Sequence, residues 1–294
     1  MIVRHKPGFL ELLIATHGSV LPRILPRILA LTALAALLVW LDGSLLALPH
    51  TNAAPFAVFG VALSLFLGFR NNAAYDRWWE GRRLWGQLVA DMRALGREVV
   101  MFQPEGHQRR PLRLALAFIH LHRANLRRLS HYDDGHTWLE DGEDLRDAPH
   151  PPCAALDLMA RDVAHHAPDG FAKKALSERI GSIALAQAGC ERIAATPLPF
   201  VYTLLVFRTT YLYCLLFPFA LLEGAGWMTP LFVAIIAYVF FGLAEVTEEL
   251  SNPFGETVNG LPLDAMCRTI EISLLSQLGE EAPAPLKPVG YYLS

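Results

Sequence analysis

Several histidines occur at spacings that raise the question of metal binding. His120 and His122 are two residues apart, and His165 and His166 are adjacent. On a helix, side chains two residues apart point about 200° away from each other, so one metal ion does not easily bind both rings of the first pair. Metal-binding helices place histidines three or four residues apart, with further ligands nearby. We interpret these histidines as structural or solvated and predict no metal site.

Sequence patterns typical of catalysis are absent. The chain has no GxSxG elbow, no phosphate-binding loop, no dinucleotide-binding fingerprint and no carboxylates paired for acid–base chemistry. We therefore predict no catalytic residue, no cofactor and no enzymatic activity.

Charged residues in or beside apolar stretches are the next candidates. Arg208 lies inside the apolar segment VFRTTYLY, and a charge inside a membrane is costly unless it faces protein or water. It could form a structural ion pair with Glu245 or Glu223, or it could tune the potential along a pore. Glu245 and Glu249 share a helix face at i, i+4. They could coordinate a cation, support a cytoplasmic pore mouth, or form a solvated helix end.

The segment PFAVFGVALSLFLGFRNNAAYDRWW contains small residues at a regular spacing. Gly60, Ser64 and Gly68 recur every four residues. Such a face lets helix backbones approach closely in a membrane. We predict a helix-packing surface at these three positions.

A stripe of bulky apolar residues lies beside the small ones. Val61, Leu65 and Phe69 also recur every four residues, one position later. If copies of this helix surround an axis, the stripe forms three apolar rings over roughly 12 Å, and such rings gate by dewetting. The same spacing also fits core or lipid-facing positions of an ordinary helix bundle.

Polar residues follow the stripe immediately. Arg70, Asn71, Asn72, Asp76 and Arg77 come directly after Phe69 in the chain. The change suits a pore that widens into a hydrated vestibule lined by the two asparagines, and it equally suits a plain exit from the membrane.

The composition favours a membrane protein. Of 294 residues, 53% are hydrophobic and 18% are charged, against about a quarter charged in soluble proteins, and the mean hydropathy is +0.31. This much apolar surface excludes intrinsic disorder, and the net charge of −3 gives no reason to expect a nucleic acid. The four cysteines contain no CxxC pair, which argues against a disulfide framework or a zinc ribbon.

Four apolar stretches are candidates for membrane spans, which need about 20 residues each. They lie at 28–41, 53–69, 193–222 and 224–244. The first 20 residues lack the features of a cleaved signal peptide. We therefore predict an all-α integral membrane protein with four transmembrane helices.

The distribution of basic residues predicts the orientation. Neither short connection, between the first two or the last two spans, contains Lys or Arg, whereas residues 70–192 contain 18. The positive-inside rule then places both termini in the cytoplasm. The predicted layout is a cytosolic segment at 1–27, two spans at 28–69, a large helical cytosolic domain at 70–192, two spans at 193–250 and a cytosolic segment at 251–294.

Four blocks along the chain resemble bacterial bestrophin homologues. They are HGSVLPRIL, LGFRNNAAYDRWWEGRRLWGQL, CERIAATPLPFVYT and EELSNPFG, and their order and spacing match over nearly the whole chain. The resemblance implies a homopentameric channel around a central pore, in the inner membrane of a bacterium. It further implies a hydrophobic neck at Val61, Leu65 and Phe69, and a narrower cytosolic aperture at Phe171.

The resemblance also bears on calcium. In animal bestrophins a run of acidic residues follows the NPFG motif and holds the ion. Here Glu256 is the one carboxylate directly after the motif at 252–255, whereas calcium takes six to eight oxygen ligands. We expect no high-affinity calcium site.

The charge of the conducted ion is a further open point. A hydrophobic neck carries no charge and cannot itself select a sign. Bacterial members of the family imply monovalent cations (Na⁺ or K⁺), which we favour on that ground alone. An anion (chloride) channel of the same architecture, a non-conducting scaffold and a transporter are the alternatives. The expected partners are further copies of the chain, monovalent ions and membrane lipid.

Overall fold

The structure, a computed structural model, describes residues 1–3, 8–9, 11, 15, 18–44, 48–130 and 132–294. Ten residues of the predicted segment 1–27 and residues 45–47 of the first connection therefore lie outside the described residues. The β-structure of the described part consists of two isolated bridges, Ile2–Tyr292 and Val289–Tyr292. The helices are α1 (Leu21–Ser44), α2 (Ala53–Phe102), α3 (Arg109–Arg127), α4 (Asp133–His136), α5 (Pro151–His166), α6 (Gly170–Ala195), α7 (Phe200–Ala225), α8 (Thr229–Ser251) and α9 (Leu263–Gln277).

The helices form two compact units. We call the first the apolar unit; it comprises His5–Trp78 and Pro197–Asn252. The second, the polar unit, comprises Met1–Arg4, Trp79–Thr196 and Pro253–Ser294. The helix α2 contributes to both units.

Three helical stretches are long and apolar enough to cross a membrane. They are Leu21–Ser44, Ala53–Phe102 and Phe200–Ser251. The third contains two helices, α7 and α8, joined by the 3₁₀ turn Gly226–Met228. Gly226 has a φ of +49°, which glycine adopts at little cost, and it ends α7. Each of the two helices exceeds the length of about 20 residues that a span requires.

The start of the third predicted span was wrong. The sequence placed it at residue 193, but α6 of the polar unit continues to Ala195 and α7 begins at Phe200. Pro197 and Pro199 lie between them. Proline lacks an amide hydrogen and pushes the preceding residue out of the helical region, and these two closely spaced prolines mark the break between the two helices.

The helices of the apolar unit pack antiparallel to their neighbours. Tyr213 of α7 meets Phe240 of α8 edge to face, with ring centroids 5.4 Å apart. Tyr211 and Phe241 form a similar pair at 4.8 Å. The buried core of this unit draws on all four helices and includes Ile24, Ile28, Leu31, Leu63, Leu67, Val206, Cys214, Val233 and Ala237.

Ionic contacts join α1 to the end of α8. Arg23 binds Glu249, and its Nη1 lies 3.5 Å from Oε1 of Glu245. Nη1 of Arg27 lies 3.8 Å from Oε2 of Glu245. Both carboxylates therefore form ion pairs with arginines of their own chain. This arrangement matches neither a solvated helix end nor a pair of cation ligands, two of the possibilities raised by the sequence.

The polar unit is built around α3, which is buried on nearly every side. Leu112, Ala115, Leu116 and Ile119 are completely buried. The helix packs against α4, α5, α6 and α9, so hydrophobic residues occupy more of its circumference than one amphipathic stripe would require.

The two histidines of α3 belong to this interior. Nε2 of His120 lies 2.6 Å from Oε1 of Glu271. The ring of His122 is stacked between Trp85 and Phe118, with centroid distances of 5.8 and 5.6 Å. Burial lowers the pKa of His122 to about 3, so its imidazole is neutral at physiological pH.

A buried carboxylate connects α2 to α6 in the polar unit. Asp91 is 1% exposed and accepts hydrogen bonds from Arg179 Nη1 at 2.8 Å and Ser182 Oγ at 2.8 Å. Arg179 also donates to Glu98 at 2.7 Å. A buried charge must be paired to be tolerated, so this network fixes the position of α6.

Replacing Asp91 with alanine should therefore lower the stability of the protein. Removing one partner of a buried ion pair leaves the other without full compensation, at a cost of about 3 kcal/mol. Arg192→Gln is the matched control on α6, because its 2.6 Å contact with Glu80 is exposed and should contribute less than about 1 kcal/mol. Thermal unfolding of the solubilised protein measures both, and equal midpoints would contradict the assigned role of Asp91.

Candidate pore-lining surface of the second helix

The helix α2 buries one face in the apolar unit and leaves the opposite face open. The buried positions recur every three or four residues: Leu63, Leu67, Arg70 and Ala74. At 100° per residue, the centre of this face lies roughly 170° from the centre of the stripe predicted from the sequence. Val61, Leu65 and Phe69 are 63%, 57% and 69% exposed. The described part of the subunit therefore leaves the stripe largely uncovered.

The three small residues do not share one environment. A Cβ atom on Gly60 would lie 2.9 Å from the hydroxyl oxygen of Tyr213, so this glycine permits close packing of α2 on α7. Ser64 is exposed, and a Cβ on Gly68 would meet nothing within 4 Å. Within the described subunit, only the first of the three positions packs a neighbouring helix.

The polar residues after the stripe also divide between faces. Asn72 is exposed and continues the line of the stripe, whereas Oδ1 of Asn71 lies 3.5 Å from the Thr247 hydroxyl of α8. Arg70, which the sequence grouped with the vestibule residues, is buried instead. Its Nη2 donates to Thr203 Oγ1 at 3.0 Å and to Glu248 Oε2 at 3.1 Å.

The predicted aperture residue lies in the polar unit. Phe171 occupies the first turn of α6 and is 87% exposed. The turn begins at Asp169, whose carboxylate accepts the amide hydrogen of Ala172 at 2.8 Å and caps the helix. A phenylalanine so exposed at a capped helix start is available to meet solvent, ions or another copy.

Arg208 does not form the ion pair that the sequence suggested. Glu245 binds Arg23 and Arg27 instead. Among the described residues, Arg208 has no carboxylate within 4 Å, and its side chain is exposed. No local pattern could reveal this, because the partners of Glu245 are more than 200 positions away in the chain.

Candidate metal ligands are dispersed in the described part of the chain. No group of three or more His, Cys, Asp or Glu residues lies close enough there to hold an ion. Glu256, which follows the NPFG motif, is exposed, and its Oε1 lies 3.6 Å from Arg127. A carboxylate beside a guanidinium is a poor cation ligand, because the arginine already offsets its charge.

Comparison with known proteins identifies the family. The family model described as bacterial/fungal bestrophin protein matches residues 1–276. The chain belongs to the bestrophin family. The resemblance found in the four sequence blocks is thereby confirmed, and this bestrophin is a member of a family of membrane ion channels.

Named relatives of this bestrophin cover nearly its whole length. It is 44% identical to the voltage-dependent anion channel-forming protein mll4386 of Mesorhizobium japonicum, over 100% of this chain and 97% of that protein. It is 40% identical to the voltage-dependent anion channel-forming protein YneE of Escherichia coli K12, over 98% and 97%. A crystal structure of a bestrophin homologue from Klebsiella pneumoniae is 33% identical, with a TM-score of 0.81 over 90% of this chain and 100% of that one.

The close approach at Gly60 can be tested by a double-mutant cycle with Tyr213. Gly60→Ala places a methyl group against the Tyr213 hydroxyl, and that ring cannot easily move because it is 5% exposed and packs on Phe56, Phe217 and Phe240. Tyr213→Phe removes the obstructing oxygen. We expect the double variant to unfold at a higher temperature than the sum of the two single changes predicts.

If the change in unfolding temperature of the double variant equals the sum of the two single changes, Gly60 and Tyr213 are not in contact. Gly181→Ala, inside α6, serves as the control for the intrinsic gain of about 1 kcal/mol that alanine brings to a helix, because a Cβ at Gly181 would meet nothing within 4 Å.

Proposed function

We propose that this bestrophin forms a homopentameric ion channel in the inner membrane of a bacterium, with α2 of each copy lining a central pore. The observation that carries the proposal is the bare apolar stripe directly opposite the buried face of α2. A ring of copies in cyclic symmetry uses one heterologous interface repeatedly and closes on itself. In such a ring each copy would contribute Val61, Leu65 and Phe69 to the pore wall.

The stripe would act as a hydrophobic neck. Its three rings would extend over roughly 12 Å, and a narrow apolar passage excludes water until it widens. A stripe on the lipid-facing side of a bundle would be equally bare. A pore-lining position is supported by relatives that are named as channel-forming and match almost the entire length of this chain. It is also supported by Asn72, a polar residue on the same helix face as the stripe.

The remaining layout follows from length and charge. We assign α1, the first part of α2, α7 and α8 as four spans, with both termini and the polar unit in the cytoplasm. This orientation is supported by the 18 basic residues between 70 and 192, and by short connections without Lys or Arg. Ser64 and Gly68 would receive a neighbouring copy, Asn71 and Asn72 would border the vestibule, and Phe171 would form the cytosolic aperture.

We propose monovalent anions as the conducted ions. The sequence favoured cations through the bacterial branch of the family alone, whereas relatives at 40–44% identity are named as anion channel-forming. The names support the anion alternative. Cations remain the second candidate, and one electrical measurement distinguishes the two.

Planar-bilayer recordings of the purified protein under a salt gradient test the channel and the sign together. We expect a current that reverses toward the equilibrium potential of the anion. In the same assay, Leu65→Ala and Phe69→Ala should raise the conductance or the open probability, because each removes bulk from a dewetted ring.

Leu67→Ala is the matched control for these variants, since Leu67 lies on the same helix but is fully buried. It should reduce stability through a core cavity, by about 2–5 kcal/mol, without enlarging the current. Unchanged currents from both stripe variants would show that the stripe does not face the pore, and vesicles without any ion flux would favour a scaffold.

The aperture assignment predicts a change in selectivity at Phe171. Phe171→Ser should relax discrimination between ions of the same sign but different size, because the ring restricts passage. Leu185→Ser is the matched control, since Leu185 is another highly exposed apolar residue further along α6. Reversal potentials in mixed salts measure the effect. An identical shift from both variants, or none from Phe171→Ser, would remove the assignment.

A further inference from the structure

Arg208 is the one charged residue inside the apolar stretches of the four helices proposed to cross the membrane. No Asp, Glu, Lys, Arg or His occurs at 28–41, 53–69 or 229–244, and 200–222 contains Arg208 alone. The arginines at the ends of these stretches are compensated: Arg23 and Arg27 by Glu245, and Arg70 by Glu248. Arg208 has no such partner among the described residues. Within the described part of the subunit, no carboxylate therefore offsets its positive charge.

Contacts between α2 and α7 place this charge at the level of the neck. Phe56 packs on Phe217, with ring centroids 6.2 Å apart, and Gly60 lies against Tyr213. Arg70 donates to Thr203. These pairs show that the two helices are antiparallel and in register, so each residue further along α2 lies level with the residue one position earlier in α7. Leu65 is five residues after Gly60 and Arg208 is five residues before Tyr213, so these two residues lie at the same level.

The side chain of Arg208 projects from the open face of α7. Val201, Leu205 and Leu212 are exposed on the same face, because consecutive positions in the series 201, 205, 208 and 212 are three or four residues apart. The guanidinium is thus surrounded by apolar side chains of its own helix. In such surroundings solvent and salt screen a charge far less than at a water-facing surface, so its field extends to neighbouring helices.

We propose that Arg208 sets the sign of the conducted ion. In a ring of copies, one uncompensated arginine per subunit encircles the middle of the neck, just behind the helix that carries Leu65. The summed positive potential favours anions and opposes cations at the point where the pore wall itself carries no charge. The inference rests on the proposed channel and gives a physical cause for its anion preference.

Arg208→Gln and Arg208→Lys test the inference in the same bilayer assay. The glutamine removes the charge at similar length, whereas the lysine keeps it. We expect a several-fold fall in the ratio of anion to cation permeability for Arg208→Gln, and little change for Arg208→Lys. Equal ratios in the unmodified protein and Arg208→Gln would overturn the inference.

A second variant neutralises the charge without removing the arginine. Leu212 lies four residues from Arg208 on the same face, so Leu212→Glu offers it an ion pair, and Leu212→Gln is the uncharged control. The glutamate variant should reproduce the shift of Arg208→Gln, and the control should not. An unshifted Leu212→Glu channel would overturn the inference even if Arg208→Gln failed to assemble.

The same recordings separate this inference from the proposed function. If the unmodified channel conducts but prefers cations, the proposed sign and the role of Arg208 in setting it are both wrong, while the channel stands. If it prefers anions and Arg208→Gln leaves the permeability ratio unchanged, the proposed function stands and only the inference about Arg208 fails. Absence of any current from the unmodified protein would overturn the channel and the role of Arg208 together.

Discussion

The packing of α2 against α7 is the interaction on which the candidate pore depends. Gly60 lets the two backbones approach, and the aromatic ring of Tyr213 fills the space beside it. At the other end of the contact, the buried guanidinium of Arg70 reaches Thr203. Together these contacts fix the rotation of α2 about its own axis. A helix with two apolar faces has no intrinsic preference for which face it buries, and this packing decides that Leu63 and Leu67 point inward.

Much of the candidate site could be predicted because it depends on local spacing. Residues four apart lie on one side of a helix, so the stripe of Val61, Leu65 and Phe69 was visible in the sequence alone. The long apolar stretches likewise predicted the helices of the apolar unit. The prolines at 197 and 199 were equally visible, and they mark the boundary between α6 and α7 that hydrophobicity alone missed.

The ionic partners could not be predicted, because they are set by tertiary packing. Arg208 had two candidate partners in the sequence, Glu245 and Glu223, yet Glu245 binds arginines of α1 instead. Arg70 follows Phe69 directly in the chain but lies on the buried face of α2. There its guanidinium donates hydrogen bonds to Thr203 and Glu248. Similarly, the burial of both α3 histidines requires packing on several helices at once, which a single amphipathic pattern does not encode.

Three glutamates near the end of α8 have a mechanical consequence. Glu245 and Glu249 hold α1 through Arg23, while Glu248 holds α2 through Arg70. The last two turns of α8 are thus joined by ion pairs to two different helices, through carboxylates on adjacent faces. A displacement of this helix end that keeps the ion pairs intact must move both partner helices with it. A force applied to α8 is therefore transmitted to α1 and α2.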